Sequence, residues 1–198
     1  MNFLLNPVET ILKAKEEKDM VKSILILLVA SVLLGLAAAV AILAVPLGDL
    51  DIPTGGFMAI GAGIMAVVVF ILVFIAGLFS GLVLKLVFTI LGGEGTYFEG
   101  LTVVAYSLLP LSIGMIVTSL AIHVPFVGGI IAFVFFAIFG AVAYATMYRA
   151  AKELFETDMI TAFVGISVIV AVMILSLYVL IFSTIASIGF SGLMPGFP

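Results

Sequence analysis

The chain has 198 residues, of which 65% are hydrophobic and 9% charged, and its formal net charge is −4. A soluble domain is about half apolar and about a quarter charged, so this composition predicts an all-α integral membrane protein whose solvent is the bilayer. The acidic balance and the lack of a Lys/Arg stripe argue against a nucleic-acid partner. The sequence has no cysteine and a single histidine, His123. We therefore expect no disulfide, no metal and no cofactor.

The N-terminal segment carries the signals of a helix start. Asn6 can cap the free amides, Pro7 suits the first turn, and Glu9 stands where a capping-box acid would. Apolar residues alternate with lysines and acids at helical spacing, which predicts a short interfacial amphipathic helix at about 6–20. A solvated, charged lead-in is the alternative interpretation.

Five apolar runs follow, each long enough to cross a hydrocarbon layer of ~30 Å. A cleaved signal peptide is an alternative for the first run, but that run exceeds the ~7–15 residues of an ordinary signal core. Residues 1–198 therefore read as a single membrane domain with a Gly/Pro-rich tail. The predicted spans lie at about 23–45, 57–84, 97–122, 126–148 and 159–183. The predicted loops lie at 46–56, 86–95 and 149–158, and the tail at 184–198.

Helix-packing and capping signals occur at the ends of these runs. Gly77 and Gly81 form a small-xxx-small spacing, which indicates close helix packing and leaves a homo-oligomer open. Lys85 ends the second span, where its chain can reach a headgroup layer. Thr157 or Asp158 can cap the fifth span.

The stretch from Lys85 to Pro110 combines a polar loop with a helix start. The chain breaks at a pair of glycines followed by the acid Glu94, and Thr96-Tyr97-Phe98-Glu99 has the pattern of a capping box. The third span should therefore begin near Tyr97, with Glu99 holding its first turn.

Deeper in the same span, Tyr106, Ser107 and Pro110 form a polar, kinked site. At ~1.5 Å per residue, Tyr106 lies roughly 14 Å along the helix, near mid-bilayer. Pro110 has no amide hydrogen to bond the Tyr106 carbonyl, so a Ser107 or Ser112 hydroxyl, a neighbouring helix or a water must satisfy it. The kink is either structural or a hinge beside a polar cavity.

The basic residues predict the topology. All seven occur in three segments that share one side of the membrane if there are five spans, and none occurs on the other side. The positive-inside rule then places the N-terminus in the cytoplasm and the C-terminus outside. The three segments carry Lys13, Lys15, Lys18 and Lys22; Lys85; and Arg149 and Lys152.

The predicted spans contain no ionised side chain, which argues against pumps and ion-coupled carriers. No nucleophile–base pair, metal cluster or phosphate loop is present at membrane depth, so an enzyme is not expected. His123 lies at the turn before the fourth span, where an interfacial anchor is the favoured interpretation over a ligand.

Two segments resemble a known family. The stretch Gly92–Pro110, opening the third of five spans, is similar to the central signature of the Yip1-domain family, including its Tyr-Ser…Pro element at Tyr106-Ser107 and Pro110. Asn6–Thr10 resembles the Asn-Pro-x-Glu-Thr lead-in of bacterial and archaeal members. The resemblance implies a non-enzymatic, five-span protein of a prokaryotic cell membrane.

Eukaryotic members of the family are linked to vesicle trafficking and Rab-type GTPases. The acidic-aromatic Asp-Leu-Tyr-Gly-Pro element that those members carry before their first span is missing here. A membrane-organising scaffold of the prokaryotic type is what the resemblance then implies.

Two functions follow from these observations. The first is a scaffold that contacts the bilayer and a protein partner through its cytoplasmic face, with Glu94, Tyr97 and Glu99 as candidate contact residues. The second is a small channel or carrier with a hydroxyl-lined cavity near the third-span kink. Its candidate lining residues are Tyr106, Ser107, Pro110, Ser167 and Ser176.

Overall fold

The computed structural model describes residues 7–44, 54–171 and 175. The expectations for Asn6, Ser176 and the tail at 184–198 lie outside these described residues. The described part of the chain is all helical, with six helices in the following order: α1 Pro7–Glu17, α2 Met20–Leu43, α3 Thr54–Ile90, α4 Tyr97–Ala121, α5 Gly128–Leu154 and α6 Met159–Ala171.

Four of these helices, α2 to α5, are long and apolar enough to cross a membrane. They coincide with the first four predicted spans, and α6 begins where the fifth was predicted. Because α6 is described only as far as Ala171, the five-span count stays a prediction.

The predicted loops at 86–95 and 149–158 are wrong in part, because the preceding helices continue into both of them. α3 runs past Lys85 to Ile90, and α5 runs through Arg149 to Leu154. Arg149 pairs with Glu153 one turn later at 3.4 Å, and Leu154 is buried, so the last turn of α5 keeps both its polar and its packed face. Charge marks the edge of the apolar layer here, whereas the helix itself ends further on.

The N-terminal helix is shorter than predicted, ending at Glu17 instead of about residue 20. Lys18 adopts a left-handed conformation (φ 46°), and the Asp19 carboxylate accepts a hydrogen bond from the Lys22 amide at 3.1 Å. Asp19 therefore caps a new helix, α2, and this cap separates α1 from the first long helix. Ile11 on α1 is buried, whereas Leu12 is exposed. Whether α1 lies in a membrane interface stays a prediction.

α4 is the central element, since it packs against α2, α3 and α5. Glycines allow the closest of these approaches: a Cβ on Gly100 would overlap the carbonyl oxygen of Gly81 in α3, and one on Gly114 would overlap the Phe139 side chain in α5. The glycine at position 77 receives the Leu27 side chain of α2, 2.5 Å from the position of a Cβ. The two glycines of the small-xxx-small spacing thus face neighbours within the same chain.

Helices that alternate in direction bring six helix termini to one end of the bundle. The start of α2 lies beside the start of α4, because the Ser23 and Thr102 hydroxyls are 2.8 Å apart. The end of α5 lies beside the α3–α4 loop, because the Glu94 amide donates to the Phe155 carbonyl at 3.0 Å. We call this the basic end, since all seven Lys and Arg residues lie on the segments that meet there. The opposite end includes the α4–α5 turn, residues 122–127.

Candidate functional site

The basic end joins three segments that are far apart in sequence. The α3–α4 loop (91–96) binds the α5–α6 turn (155–158) through the backbone bond from Glu94 to Phe155. α1 reaches the same turn through an ion pair between Lys15 and Glu156, with 2.8 Å between Nζ and Oε1. The predicted N-terminal helix and the two predicted loops on this side therefore form one continuous surface.

The glycine-rich loop is shaped to receive Phe155. The Phe155 ring stacks on Phe88 of α3 with centroids 4.5 Å apart, and a Cβ on Gly95 would overlap that ring. A Cβ on Gly93 would lie 2.7 Å from the Thr157 methyl group, and Gly92 has φ +82°, a conformation that glycine adopts without strain. The glycines thus allow a tight contact between the loop and the turn. This contact explains their spacing, and no phosphate-binding role is needed to account for it.

The predicted capping box is confirmed. The Thr96 hydroxyl accepts from the Phe98 amide at 3.2 Å, and the Thr96 amide donates to the Glu99 carboxylate at 2.7 Å. Glu99 is buried at 9% exposure, so its carboxylate is engaged in starting α4. The Tyr97 hydroxyl donates to the Leu78 carbonyl of α3 at 3.0 Å. Of the three candidate contact residues, Glu94 alone has an exposed side chain.

Tyr106 is 1% exposed and lies about one turn beyond Thr102, whose hydroxyl meets that of Ser23 near the start of α2. Its side chain therefore lies nearer the basic end than the rise of its backbone along α4 indicated. The reason is geometric, because helical side chains lean toward the N-terminus of their own helix and α2 begins beside Thr102.

The hydroxyls expected to satisfy the Tyr106 carbonyl donate elsewhere. The Ser107 hydroxyl donates to the Val104 carbonyl at 3.0 Å, and the Ser112 hydroxyl donates to the Leu109 carbonyl at 2.8 Å. Since a hydroxyl has one proton, neither serine donates to the Tyr106 carbonyl, and a neighbouring helix or a water stays the predicted partner. Pro110 lies inside α4 as predicted and is buried.

A buried hydroxyl pair joins α2 to α4. Thr102 donates to the Phe98 carbonyl at 2.8 Å, and the Ser23 hydroxyl lies 2.8 Å from the Thr102 hydroxyl and 3.5 Å from the Asp19 carbonyl. Ser23 is 2% exposed and Thr102 is 0% exposed. The sequence gives no signal for this pairing, since serine and threonine are common in apolar helices.

Acidic groups of the α5–α6 turn are held ionised. The hydrogen bond from Lys15 lowers the pKa of Glu156, and bonds from the Thr161 side chain and amide lower the pKa of Asp158. Asp158 also accepts from the Ile160 amide at 2.8 Å, so it, and not Thr157, is the cap of α6. In the part of the chain that the structure describes, no group of three or more His, Asp or Glu side chains could hold a metal ion.

Four long apolar helices, three of them packed around the fourth, α4, define a multi-pass integral membrane protein. The sequence model of the Yip1 domain family matches residues 1–180, so the chain belongs to the Yip1 family, a family of non-enzymatic membrane proteins. The resemblance of Gly92–Pro110 and Asn6–Thr10 to the Yip1-domain family is thereby confirmed. No curated protein and no solved structure matches the chain.

Proposed function

We propose that this protein is a membrane-organising scaffold that binds a protein partner through its basic end. The observation that carries the proposal is the joining of α1, the α3–α4 loop and the α5–α6 turn by the Lys15–Glu156 pair and the Glu94–Phe155 bond. Segments from three parts of the chain thus hold one surface together, and such preorganisation lowers the cost of ordering that surface when a partner binds.

The candidate contact residues divide into two roles. Glu94 is exposed on the loop and is the residue available to a partner. Tyr97 and Glu99 point into the bundle, where their bonds to Leu78 and Thr96 fix the loop that presents Glu94. In this proposal they shape the contact surface and do not touch the partner.

In this proposal the chain crosses the membrane of a prokaryotic cell five times, with the basic end in the cytoplasm and the C-terminus outside. The clustering of all seven basic residues at one end supports this orientation. Epitope tags at the two chain termini test it in intact cells and inside-out vesicles. We expect the N-terminal tag to be accessible only in the vesicles and the C-terminal tag only in the cells. Both tags accessible from one side would contradict five crossings.

Site-specific photocrosslinking tests the partner surface in native membranes. A photoreactive residue at Glu94 should capture a protein, and the same residue at Phe133 of α5, which is 71% exposed, should capture only lipid. Replacing Lys15 by glutamate, which opposes Glu156 and loosens α1, should reduce capture at Glu94. Capture that is equal at both positions would contradict a partner surface at the basic end.

The alternative function is a channel or carrier with a cavity beside the α4 kink. The three candidate lining residues on α4 are buried inside the bundle: Tyr106, Ser107 and Pro110. Their burial is consistent with a cavity between helices and not with a site that faces lipid. The Ser107 hydroxyl, however, is already bonded to its own helix, which favours packing over transport. Purified protein in liposomes decides the matter: solute flux that disappears with Tyr106→Phe or Pro110→Ala would support the channel.

The two glycines of the small-xxx-small spacing support packing within one chain. A Cβ on Gly81 would lie 2.9 Å from the Leu101 backbone of α4, and Gly77 faces Leu27 of α2. A homo-oligomer of this scaffold would therefore use a different surface from the one that the spacing suggested.

A further inference from the structure

The α4–α5 turn, the tip at the end of the bundle opposite the basic end, exposes apolar side chains and one polar residue, His123, whose Nδ1 lies 2.9 Å from the Ser119 carbonyl of α4. Phe126 is 105% exposed, the largest exposure among the described large hydrophobic residues. Its neighbours Ile122, Val124 and Val127 are between 43% and 47% exposed. An apolar cluster of this kind, standing clear of the fold, marks a surface that meets something other than water.

Phe126 is also held in a costly conformation. Its φ of +63° lies in the left-handed region, which bulky residues rarely adopt. The turn leaves little freedom, since the Gly128 amide donates to the Val124 carbonyl at 2.9 Å and a Cβ on Gly128 would lie 2.6 Å from the Ala121 carbonyl oxygen. A strained, fully exposed phenylalanine is an unusual combination, and such outliers tend to mark functional positions.

The helix lengths give the depth of this tip. Glu99 at the start of α4 and Ala121 at its end are 22 residues apart, or roughly 33 Å at ~1.5 Å per residue. That separation matches a hydrocarbon layer of ~30 Å, so the turn lies at the far edge of the layer when the basic end lies at the near edge.

The charge pattern and the surface agree with that depth. No Asp, Glu, Lys or Arg occurs from residue 100 to residue 148. On α5 the exposed apolar surface continues from Phe133 (71%) through Ile130 (69%) to Phe126 without a charged residue. The lipid-facing surface of the bundle therefore extends round the turn.

We propose that the α4–α5 turn is embedded in the interfacial layer of the leaflet opposite the basic end, with Phe126 as its lipid anchor. The ligand is the lipid surface itself, at the level where headgroups meet acyl chains, a level that suits exposed aromatic side chains. An embedded turn fits either orientation of the bundle in the membrane and does not require the scaffold function.

Because the chain contains no tryptophan, a single substitution supplies a depth reporter. The Phe126→Trp variant of the full chain is reconstituted in phosphatidylcholine vesicles whose acyl chains carry bromine at different depths. We expect blue-shifted emission, strong quenching by bromine near the headgroups and weak quenching by iodide that is present on both sides of the vesicle membrane. Phe133→Trp, about one and a half turns further into the layer, should be quenched best by deeper bromine, and Glu94→Trp should be quenched by iodide.

Efficient iodide quenching of the Phe126→Trp variant, equal to that of Glu94→Trp, would overturn the proposal and would indicate a tip that projects into water toward a protein partner. Maximal quenching by the deepest bromine would overturn it too, because the tip would then lie within the hydrocarbon.

A second experiment does not use fluorescence and exploits the absence of cysteine. Val124→Cys should react slowly with a membrane-impermeant maleimide present on both sides of the membrane, and adding Phe126→Gly should speed the reaction because the anchor is lost while the backbone strain is relieved. Glu94→Cys is the control and should react rapidly in both backgrounds. A Val124→Cys variant that reacts as fast as Glu94→Cys would also overturn the proposal.

Discussion

α4 and its neighbours α3 and α5 differ in a way that reverses the rule for soluble proteins. α4 has the lowest mean hydropathy of the four long helices. Even so, 61% of its apolar stretch is buried, against 17% for α3 and for α5. In water the most apolar elements would be buried first. In a bilayer, lipid solvates apolar side chains as well as a protein interior does, so packing and hydrogen bonding decide which helix lies inside.

The residues of α4 show how that selection works. Gly100 and Gly114 let α3 and α5 approach closely, and Thr102 bonds to Ser23 of α2. α5, by contrast, presents Phe133 and Phe136 outward, at 71% and 49% exposure. Small and hydroxyl-bearing side chains therefore lie where α4 crosses its neighbours, whereas the exposed face of α5 carries large apolar ones.

Two phenylalanines should separate the two environments most strongly. Phe155→Ala removes the stack on Phe88 and empties the space that Gly95 leaves, so we expect a loss of ~3–5 kcal/mol in the free energy of unfolding. The matched change Phe133→Ala on the lipid-facing surface should alter it by less than ~0.5 kcal/mol. Unfolding in mixed detergent micelles, followed by circular dichroism, measures both. Similar losses for the two variants would mean that Phe155 is not a core residue.

Two glycines provide the next comparison. A methyl group on Gly100 would overlap the Gly81 carbonyl, so Gly100→Ala should destabilise the bundle by ~1–3 kcal/mol through forced separation of α3 and α4. Gly140 on α5 has nothing within 4 Å of a Cβ position. Gly140→Ala should therefore stabilise the protein by ~0.5–1 kcal/mol through helix propensity alone. The same unfolding assay applies, and changes of the same sign in both variants would contradict the α3–α4 crossing.

The buried hydroxyl pair should give a smaller effect. In a double-mutant cycle of Ser23→Ala and Thr102→Val, we expect a coupling of ~0.6 kcal/mol, the typical strength of a hydrogen bond between transmembrane helices. A cycle of Ser112→Ala with Ser23→Ala serves as the control, since the Ser112 hydroxyl donates to the Leu109 carbonyl of its own helix. A coupling as large in the control as in the test pair would mean that the helices respond to any lost hydroxyl.

What the sequence could predict follows the same division. Local signals were reliable: the capping box at Thr96 and Glu99 marked the start of α4, and the length of the apolar runs marked the four long helices. Charge was a poor guide to helix ends, because Arg149 lies within α5 and not in a loop. A charged side chain can extend to a headgroup while its backbone stays helical.

Contacts between residues far apart in the chain could not be predicted from the sequence, for a different reason. In an apolar helix neither hydropathy nor spacing separates a residue that faces lipid from one that faces a neighbour. The Phe155–Phe88 stack and the Ser23–Thr102 pair therefore have no signature of their own. The glycines of the α3–α4 loop did mark an important contact, but the ring that fills their space lies 60 residues further along the chain, at Phe155.

The smallest expected effect concerns α1, which touches the bundle at its rim. The Lys15 ammonium lowers the pKa of Glu156 in the folded protein, so the attraction is fully present above the ordinary pKa of a glutamate and is lost as the pH falls through the lowered value. In Lys15→Met the pKa of Glu156 should return toward its ordinary value. Carbon-13 NMR of the labelled carboxylates, titrated from neutral to acidic pH, measures the shift directly.

Asp158 provides an internal control for that titration, because its pKa is lowered chiefly by Thr161 and not by Lys15. It should titrate at the same pH with and without the Lys15→Met change, while Glu156 alone moves. Titrations of Glu156 that coincide in the two proteins would place α1 away from the α5–α6 turn. The basic end would then be built from two segments, and the partner surface would have to be formed by the α3–α4 loop and the α5–α6 turn without α1.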